Sequence, residues 1–262
     1  MIKQLLKGAL NKLGYELKKV KSVNFKDARN SIRIDKRPIG RMDSLLEDLK
    51  SRGFDCKSIL DIGANNTNWS IMARNIFPNA HFYLVEPQTE MEYHLKKFAE
   101  ETATAFYFLK AVGARNEILT FTVSEDLAGS SFLPKEEKSL LANGKQRKIE
   151  IITIDDLINS NEIIMPELIK LDIQGFELEA LKGAQTTFGN TEVYIVEVSL
   201  FPSLERDDMP VISDVINFML ERDYTIYDFP GFLRRPLDGA LGQCDICFVK
   251  KDSFLRSSYS WK

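Results

Sequence analysis

The sequence predicts an α/β fold, a doubly wound and mostly parallel sheet. Three observations predict this class. Short apolar segments alternate with segments of helical periodicity along most of the chain. Several of the apolar segments end in a carboxylate that a tight turn follows. Hydrophobic residues make up 44% and charged residues 28% of the 262, an ordinary globular composition that excludes a disordered, collagen-like or coiled-coil chain.

The first twenty residues predict an amphipathic helix with a basic polar face. Its apolar sector comprises Ile2, Leu5, Leu6, Ala9, Leu10, Leu13, Leu17 and Val20. Two interpretations are open. The helix lies on an anionic membrane surface, at the inner face of the membrane, or it docks on its own domain or on a partner subunit of a homo-oligomer. Residues 1–40 are therefore expected to form this helix and a polar linker, and residues 41–262 a single α/β domain.

The α/β domain is expected to begin with a helix over 41–52, which Gly53 ends. Its alternating elements follow in order: strand Ser58–Ile62, helix Asn68–Phe77, strand His81–Val85, helix Glu90–Glu100 and strand Phe106–Val112. Two further apolar runs, Ile118–Val123 and Lys148–Ile154, have no crossover helix between them. They predict an antiparallel β insertion at the mouth of the sheet.

The parallel pattern then returns and ends in a pair of late strands. Its elements are strand Leu168–Ile173, helix Phe176–Leu181, strand Glu192–Val198 and helix Pro210–Arg222. The last strands, Thr225–Asp228 and Asp245–Lys250, lie close together in the sequence. This closeness predicts an antiparallel pair at one edge of the sheet.

Charge and cysteine content narrow the class of protein. With 35 basic and 38 acidic residues, nothing indicates a nucleic-acid partner. No uncharged apolar run approaches the roughly 18 residues of a membrane span, and lysines interrupt the first apolar stretch, so no signal peptide is expected. Cys244 and Cys247 are three apart on a predicted strand and therefore point to opposite faces. We expect buried thiols and a cytoplasmic protein.

The turn after the first strand carries the most informative motif. Asp61 stands at the end of this strand, Gly63 follows two residues later, and Glu86 ends the next strand. Dinucleotides and S-adenosylmethionine both bind at such a switch point of a doubly wound sheet. A dinucleotide needs a glycine-rich turn to hold its pyrophosphate, but polar side chains at 65–67 occupy the later glycine positions.

The motif therefore favours S-adenosylmethionine, whose sulfonium centre is positive and which carries no phosphate. Asp61 suits that charge, Glu86 suits both ribose hydroxyls, and Gly63 lets the main chain approach the methionine part. Taken singly, Asp61 is equally a turn acid or a helix N-cap, and Glu86 equally a surface carboxylate. Their occurrence on successive strands favours the cofactor.

A second motif supplies candidate catalytic residues. Asp172 ends a central strand, Glu177 falls in the first turn of the following helix, and Glu197 ends the next strand. We expect Asp172 to orient the acceptor or the amino end of the cofactor, with Glu197 or Glu177 as the base that takes the acceptor proton. Glu177 is equally interpreted as a capping acid. Mg²⁺ on Asp172 and Glu197 is compatible with their oxygen ligands but is not favoured, and no metal ligand is assigned.

The sequence resembles the FkbM family of S-adenosylmethionine-dependent methyltransferases from about Arg41 to Lys250. The motifs that carry the resemblance are Leu60–Asn65, Val85–Pro87, Gly129–Ser131, Lys170–Glu177 with Leu181–Ala184, and Arg235–Gln243 followed by Asp245 and Phe248. The resemblance implies a class I, Rossmann-like methyltransferase fold with an antiparallel edge strand, and O-methylation (EC 2.1.1) of a sugar, glycan or polyketide-type hydroxyl. The cofactor-binding residues that follow are Asp61, Gly63, Ala64, Asn65, Glu86 and Pro87.

Two positions depart from the family pattern. Thr67 stands where the family commonly carries glycine, and is expected to crowd the turn or to cap the following helix. Gln174 takes the third place of an acid–Val–Glu–Gly pattern. Two other functions are kept as alternatives: a nicotinamide-dependent oxidoreductase, and a non-catalytic module that docks on a membrane or partner through residues 1–20.

Overall fold

The computed structural model describes residues 37–125, 127–132, 137–202, 209–258 and 260. The helix predicted over residues 1–20 and most of the predicted linker lie outside the described residues. The domain boundary after residue 40 stays a prediction.

Seven strands form the main sheet, in the order β3-β2-β1-β7-β8-β10-β9. Their bounds are β1 Ser58–Ile62, β2 His81–Val85, β3 Ala105–Phe108, β7 Leu168–Leu171, β8 Val193–Ser199, β9 Tyr224–Arg234 and β10 Leu241–Lys250. Strands β3, β2, β1, β7 and β8 run parallel to one another, and β10 is antiparallel to both β8 and β9. The predicted class and the antiparallel edge pair are confirmed. The strand that runs against the sheet is β10, one position in from the edge.

A small second sheet confirms the predicted insertion. It has the order β4-β6-β5, with β4 Ala111–Val112, β5 Glu117–Thr122 and β6 Gln146–Ile152. Strands β5 and β6 are antiparallel, whereas β4 is parallel to β6. The predicted strand Phe106–Val112 is therefore divided in two, because the chain leaves the main sheet after Phe108 and pairs Ala111 with Ile151 of β6.

Seven α-helices connect the strands in the described part of the chain. They are α1 Met42–Ser51, α2 Asn68–Ile76, α3 Glu92–Glu101, α4 Lys138–Ala142, α5 Ile154–Asn159, α6 Glu177–Lys182 and α7 Ile212–Leu220. Helices α4 and α5, of five and six residues, were not predicted from the sequence. The Thr153 hydroxyl begins α5 by accepting the Asp156 N–H at 2.9 Å.

The core lies on both faces of the main sheet. Leu60 and Ile62 belong to one buried cluster and Ile59 to the other, as the alternation of a strand requires. Cys244 and Cys247 are likewise divided between the two clusters, and both are free thiols, which confirms that they point to opposite faces. Of the helices described, none combines the length and the apolar character that a bilayer crossing requires.

Candidate active site

A cavity of about 680 Å³ opens at the carboxyl edge of the parallel strands. It lies at the switch point between β1 and β7, where a doubly wound sheet binds its ligands. Seven of the nine predicted site residues line it: Gly63, Ala64, Asn65, Glu86, Pro87, Asp172 and Glu197. The other two, Asp61 and Glu177, are buried but are not among the lining residues.

Glu86 joins the ends of two strands on one side of the cavity. One carboxylate oxygen accepts the Asn65 N–H and the other accepts the Gln88 N–H, each at 3.0 Å. The side chain is almost fully buried, and burial raises the pKa of Glu86 while these two hydrogen bonds oppose the rise. The two backbone N–H groups fill two of the roughly four lone-pair sites of the carboxylate. Glu86 is therefore placed to accept hydroxyl donors of a ligand in the cavity.

Gly63 is required by a contact within the fold. Its φ of +80° is in the left-handed region, and an added Cβ would lie 1.9 Å from the main-chain oxygen of Asp172. The neighbouring Asp172 N–H donates to the Ile62 oxygen at 3.0 Å. The absent side chain thus lets the turn after β1 pack on the end of β7. This is a different reason from the ligand approach that the sequence suggested.

Thr67 holds the N-cap position of α2 with a φ of 64° and makes no side-chain capping hydrogen bond. The expectation that Thr67 caps the helix is therefore wrong. A left-handed φ is unfavourable for a β-branched residue, which explains the glycine of the family pattern at this position.

Asp61 lies beneath the cavity wall. It accepts the Ser70 hydroxyl at 2.5 Å, and its other oxygen is 3.9 Å from the Lys170 ammonium. Burial raises the pKa of Asp61, whereas Lys170 and Ser70 act in the opposite direction. Asp61 therefore ties β1 to the first turn of α2 and to β7.

Lys170 lines the cavity and carries the positive charge next to Asp172. Its Nζ lies 3.0 Å from an Asp172 oxygen and 5.7 Å from the centre of the Trp69 ring, with only 6% of the side chain exposed. Burial would lower the pKa of Lys170, but Asp172 and Asp61 outweigh burial and raise it. Burial likewise opposes ionisation of Asp172, yet Lys170 lowers the pKa of that carboxyl. Both members of the pair are charged at neutral pH.

Glu197 is in the opposite electrostatic situation. Gln174 donates to Glu197 at 2.8 Å and to Asp172 at 3.1 Å, and Gln243 donates to Glu197 at 3.3 Å. Burial and the neighbouring carboxylates of Asp172, Glu177 and Asp245 raise the pKa of Glu197 to about 9. Glu197 is therefore protonated at neutral pH.

Glu177 holds the turn that carries Gln174. Its carboxylate accepts the Ile173 N–H at 2.9 Å and the Gly175 N–H at 3.0 Å. Burial raises the pKa of Glu177 to about 7 even though these bonds oppose the rise. Gln174 has a φ of 56°, so this second departure from the family pattern is also a left-handed residue. The Ile173 and Gly175 N–H groups lie in the turn before α6 and not within the helix, so Glu177 closes the turn.

Four further residues line the cavity that were given no role from the sequence: Lys170, Gln243, Asp245 and Trp69. Lys170 could have been found, because it stands two residues before Asp172 on one strand and thus shares its face. Gln243 and Asp245 come from β10, whose place beside β8 is a tertiary feature. Among the residues that the structure describes, no group of three or more histidine, cysteine or acidic side chains is arranged to hold a metal ion.

The strand order, the reversed β10 and the carboxylate-lined crevice at the switch point define a class I, Rossmann-like methyltransferase fold. The chain belongs to the FkbM methyltransferase family, since the family model described as the methyltransferase FkbM domain matches residues 61–226.

Individual relatives are distant. The hexuronic acid methyltransferase AglP of Haloferax volcanii is 31% identical over 87 residues, which are 30% of this chain and 35% of that protein. The chain thus spans about a third of the length of the curated relative that it matches. Precorrin-6y C5,15-methyltransferase from Geobacter metallireducens is 11% identical with a TM-score of 0.43, covering 84% of this chain and 96% of that one. An rRNA methylase from Streptococcus thermophilus is 10% identical with a TM-score of 0.42, covering 81% and 98%.

Proposed function

We propose that this protein transfers the methyl group of S-adenosylmethionine to a hydroxyl of a small-molecule or glycan acceptor (EC 2.1.1). The observation that carries the proposal is that Glu86, Asp172 and Glu197 line one cavity at the carboxyl edge of the parallel strands. Membership of the FkbM family supports methyl transfer. The name of the Haloferax relative, a hexuronic acid methyltransferase, supports an acceptor of the sugar type.

The cofactor side fits a nucleoside without phosphate. Glu86 is a carboxylate that can accept ribose hydroxyls, and the 63–65 turn and Pro87 line the same cavity. When bound, S-adenosylmethionine supplies an electrophilic methyl group on a cationic sulfur. Asp61 supports this side from below by holding Ser70 and Lys170.

The acceptor side fits a hydroxyl group. Asp172 is ionised and can accept a hydrogen bond from the acceptor hydroxyl, which orients its oxygen for in-line displacement. Gly129 and Ser130 of the β insertion line the same cavity, and we assign the insertion to acceptor binding. We assign Glu177 as a positioning residue that acts through the 173–175 turn. This role replaces that of candidate base, which the sequence left open for Glu177.

The test is the ligand that the purified full chain retains, identified by mass spectrometry, together with formation of S-adenosylhomocysteine in the presence of hydroxylated acceptors. We expect S-adenosylmethionine or its demethylated product to be retained, and product formation that depends on the acceptor. Retention of a nicotinamide dinucleotide would favour an oxidoreductase. No product with any acceptor, together with binding to anionic vesicles that deletion of residues 1–20 abolishes, would favour the docking module.

A further inference from the structure

Two carboxyl groups meet at the acceptor side of the cavity in unequal surroundings. Asp172 directly follows β7 and Glu197 lies on the neighbouring strand β8. The amide of Gln174 donates one hydrogen to each. A pair so close in a buried site does not hold two negative charges easily, because like charges at short range raise one of the two pKa values. The position of the nearest cation decides which carboxyl stays ionised.

The nearest cation is the ammonium group of Lys170, which pairs with Asp172. The Lys170 ammonium lies 3.0 Å from Asp172 and 3.9 Å from Asp61. Asp61 on β1 and Lys170 on β7 are register partners, so the pairing of the two strands fixes the position of the lysine.

Among the described residues, the groups that contact Glu197 or shift its pKa most are acids and amides. The carboxyls of Asp172, Glu177 and Asp245 all disfavour its ionisation. The remaining neighbours are the neutral amides of Gln174 and Gln243. The arrangement around the pair is therefore one ammonium beside Asp172 and acids or amides beside Glu197.

We propose that Lys170 is a positioning residue that keeps Asp172 as the ionised, proton-accepting carboxylate of the acceptor site, and that Glu197 holds the single proton of the pair as a hydrogen-bond donor. This assignment rests on the proposed function and departs from the sequence-based expectation, in which Asp172 orients the acceptor and Glu197 or Glu177 is the base. Asp172 takes the proton that the acceptor oxygen loses while that oxygen bonds to the methyl carbon. The carbon–sulfur bond breaks, its electron pair goes to sulfur, and Glu197 keeps its proton.

The first test needs no ligand. Infrared difference spectra of the full chain between pH 3 and 10 follow protonated carboxyl groups in the wild type and in Glu197→Gln, Asp172→Asn and Lys170→Met. We expect a carboxyl that deprotonates near pH 9 in the wild type and is missing in Glu197→Gln. In Lys170→Met the Asp172 carboxyl is expected to titrate at least about one unit higher, since it loses its opposite charge. Lys182→Met, an exposed lysine of α6 paired with Glu179, is the control and leaves both signals in place.

The second test compares turnover. At neutral pH, Asp172→Asn is expected to lose about a hundredfold or more in rate, and at least about tenfold more than Glu197→Gln, whose amide can still donate and accept. Lys170→Met is expected to move the acid limb of the pH–rate profile upward. A high-pH carboxyl signal that survives in Glu197→Gln but vanishes in Asp172→Asn would overturn the assignment.

The two isosteric variants decide which carboxyl holds the proton even if Lys170→Met does not fold. A wild type that forms no S-adenosylhomocysteine would defeat the proposed function, and the infrared titration would still test the charge assignment.

Discussion

Gly63 lies where the turn after β1 passes the end of β7, and a single added methyl tests that contact. In Gly63→Ala the new Cβ meets the Asp172 oxygen. In Gly189→Ala the new Cβ has no described atom within 4 Å apart from its chain neighbours, although Gly189 also has a positive φ of +83°. Both variants include the conformational cost of an alanine in the left-handed region, roughly 1–2 kcal/mol. Gly63→Ala is expected to lose at least about 2 kcal/mol more in free energy of unfolding, because of overpacking. Urea unfolding measures both, and equal losses would contradict the contact.

Glu86 is the residue on which the cofactor side depends. A glutamine at this position keeps only one acceptor oxygen and turns its NH₂ group toward one of the two backbone N–H donors. We expect the dissociation constant for S-adenosylmethionine to rise about 10- to 100-fold, the effect of losing one hydrogen bond to a charged group. Isothermal titration calorimetry measures it, with the exposed Glu100→Gln as the matched control. A change below twofold would remove Glu86 from the site.

At the scale of elements, the turn between β7 and α6 couples the helix start to the acceptor side. Glu177 holds the backbone of residues 173 and 175, and Gln174 between them reaches both Asp172 and Glu197. This arrangement buries the Glu177 carboxyl group beside other acids. The stability of the folded protein therefore depends on pH through Glu177.

The pKa of Glu177 is raised from 4.5 to about 7 in the folded protein, so the folded state binds this proton more tightly than the unfolded state. Its contribution to stability is fully present below pH 4.5 and is lost as the pH rises through 7. Relative to Glu177→Gln, the wild type is expected to lose roughly 1–3 kcal/mol between pH 4.5 and 7.5. Urea unfolding at several pH values checks this, and a difference that stays constant or grows with pH would contradict it.

The strands also differ in how well the sequence predicts their bounds. Strands β1 and β2 were predicted with their bounds, because each is an apolar run flanked by turn residues. Strand β9 extends to Arg234 and β10 begins at Leu241, both well beyond the predicted bounds. These extensions are held by cross-strand pairing between β9 and β10, and pairing with a distant strand leaves little trace in the local pattern.

At the scale of the whole molecule, cofactor binding is expected to stabilise the fold, since β1, β2 and β7 all contribute to the cavity. At one hundred times its dissociation constant, S-adenosylmethionine adds about 2.7 kcal/mol, which is roughly 5–10 °C in Tm for a chain of this size. Differential scanning fluorimetry measures the shift. A nicotinamide dinucleotide at the same concentration is the control, and a shift with the dinucleotide alone would favour the oxidoreductase.

The sequence by itself determined the α/β class, the order of the long elements and seven residues of the cavity wall. These features are readable because burial imposes a period on each strand and helix, and because parallel strands bring their carboxyl ends to one edge. The tertiary structure alone decided what each acid does there. Burial and neighbouring charge are properties of the packed chain, so only the fold could pair Lys170 with Asp172, surround Glu197 with acids and turn Glu177 toward the backbone.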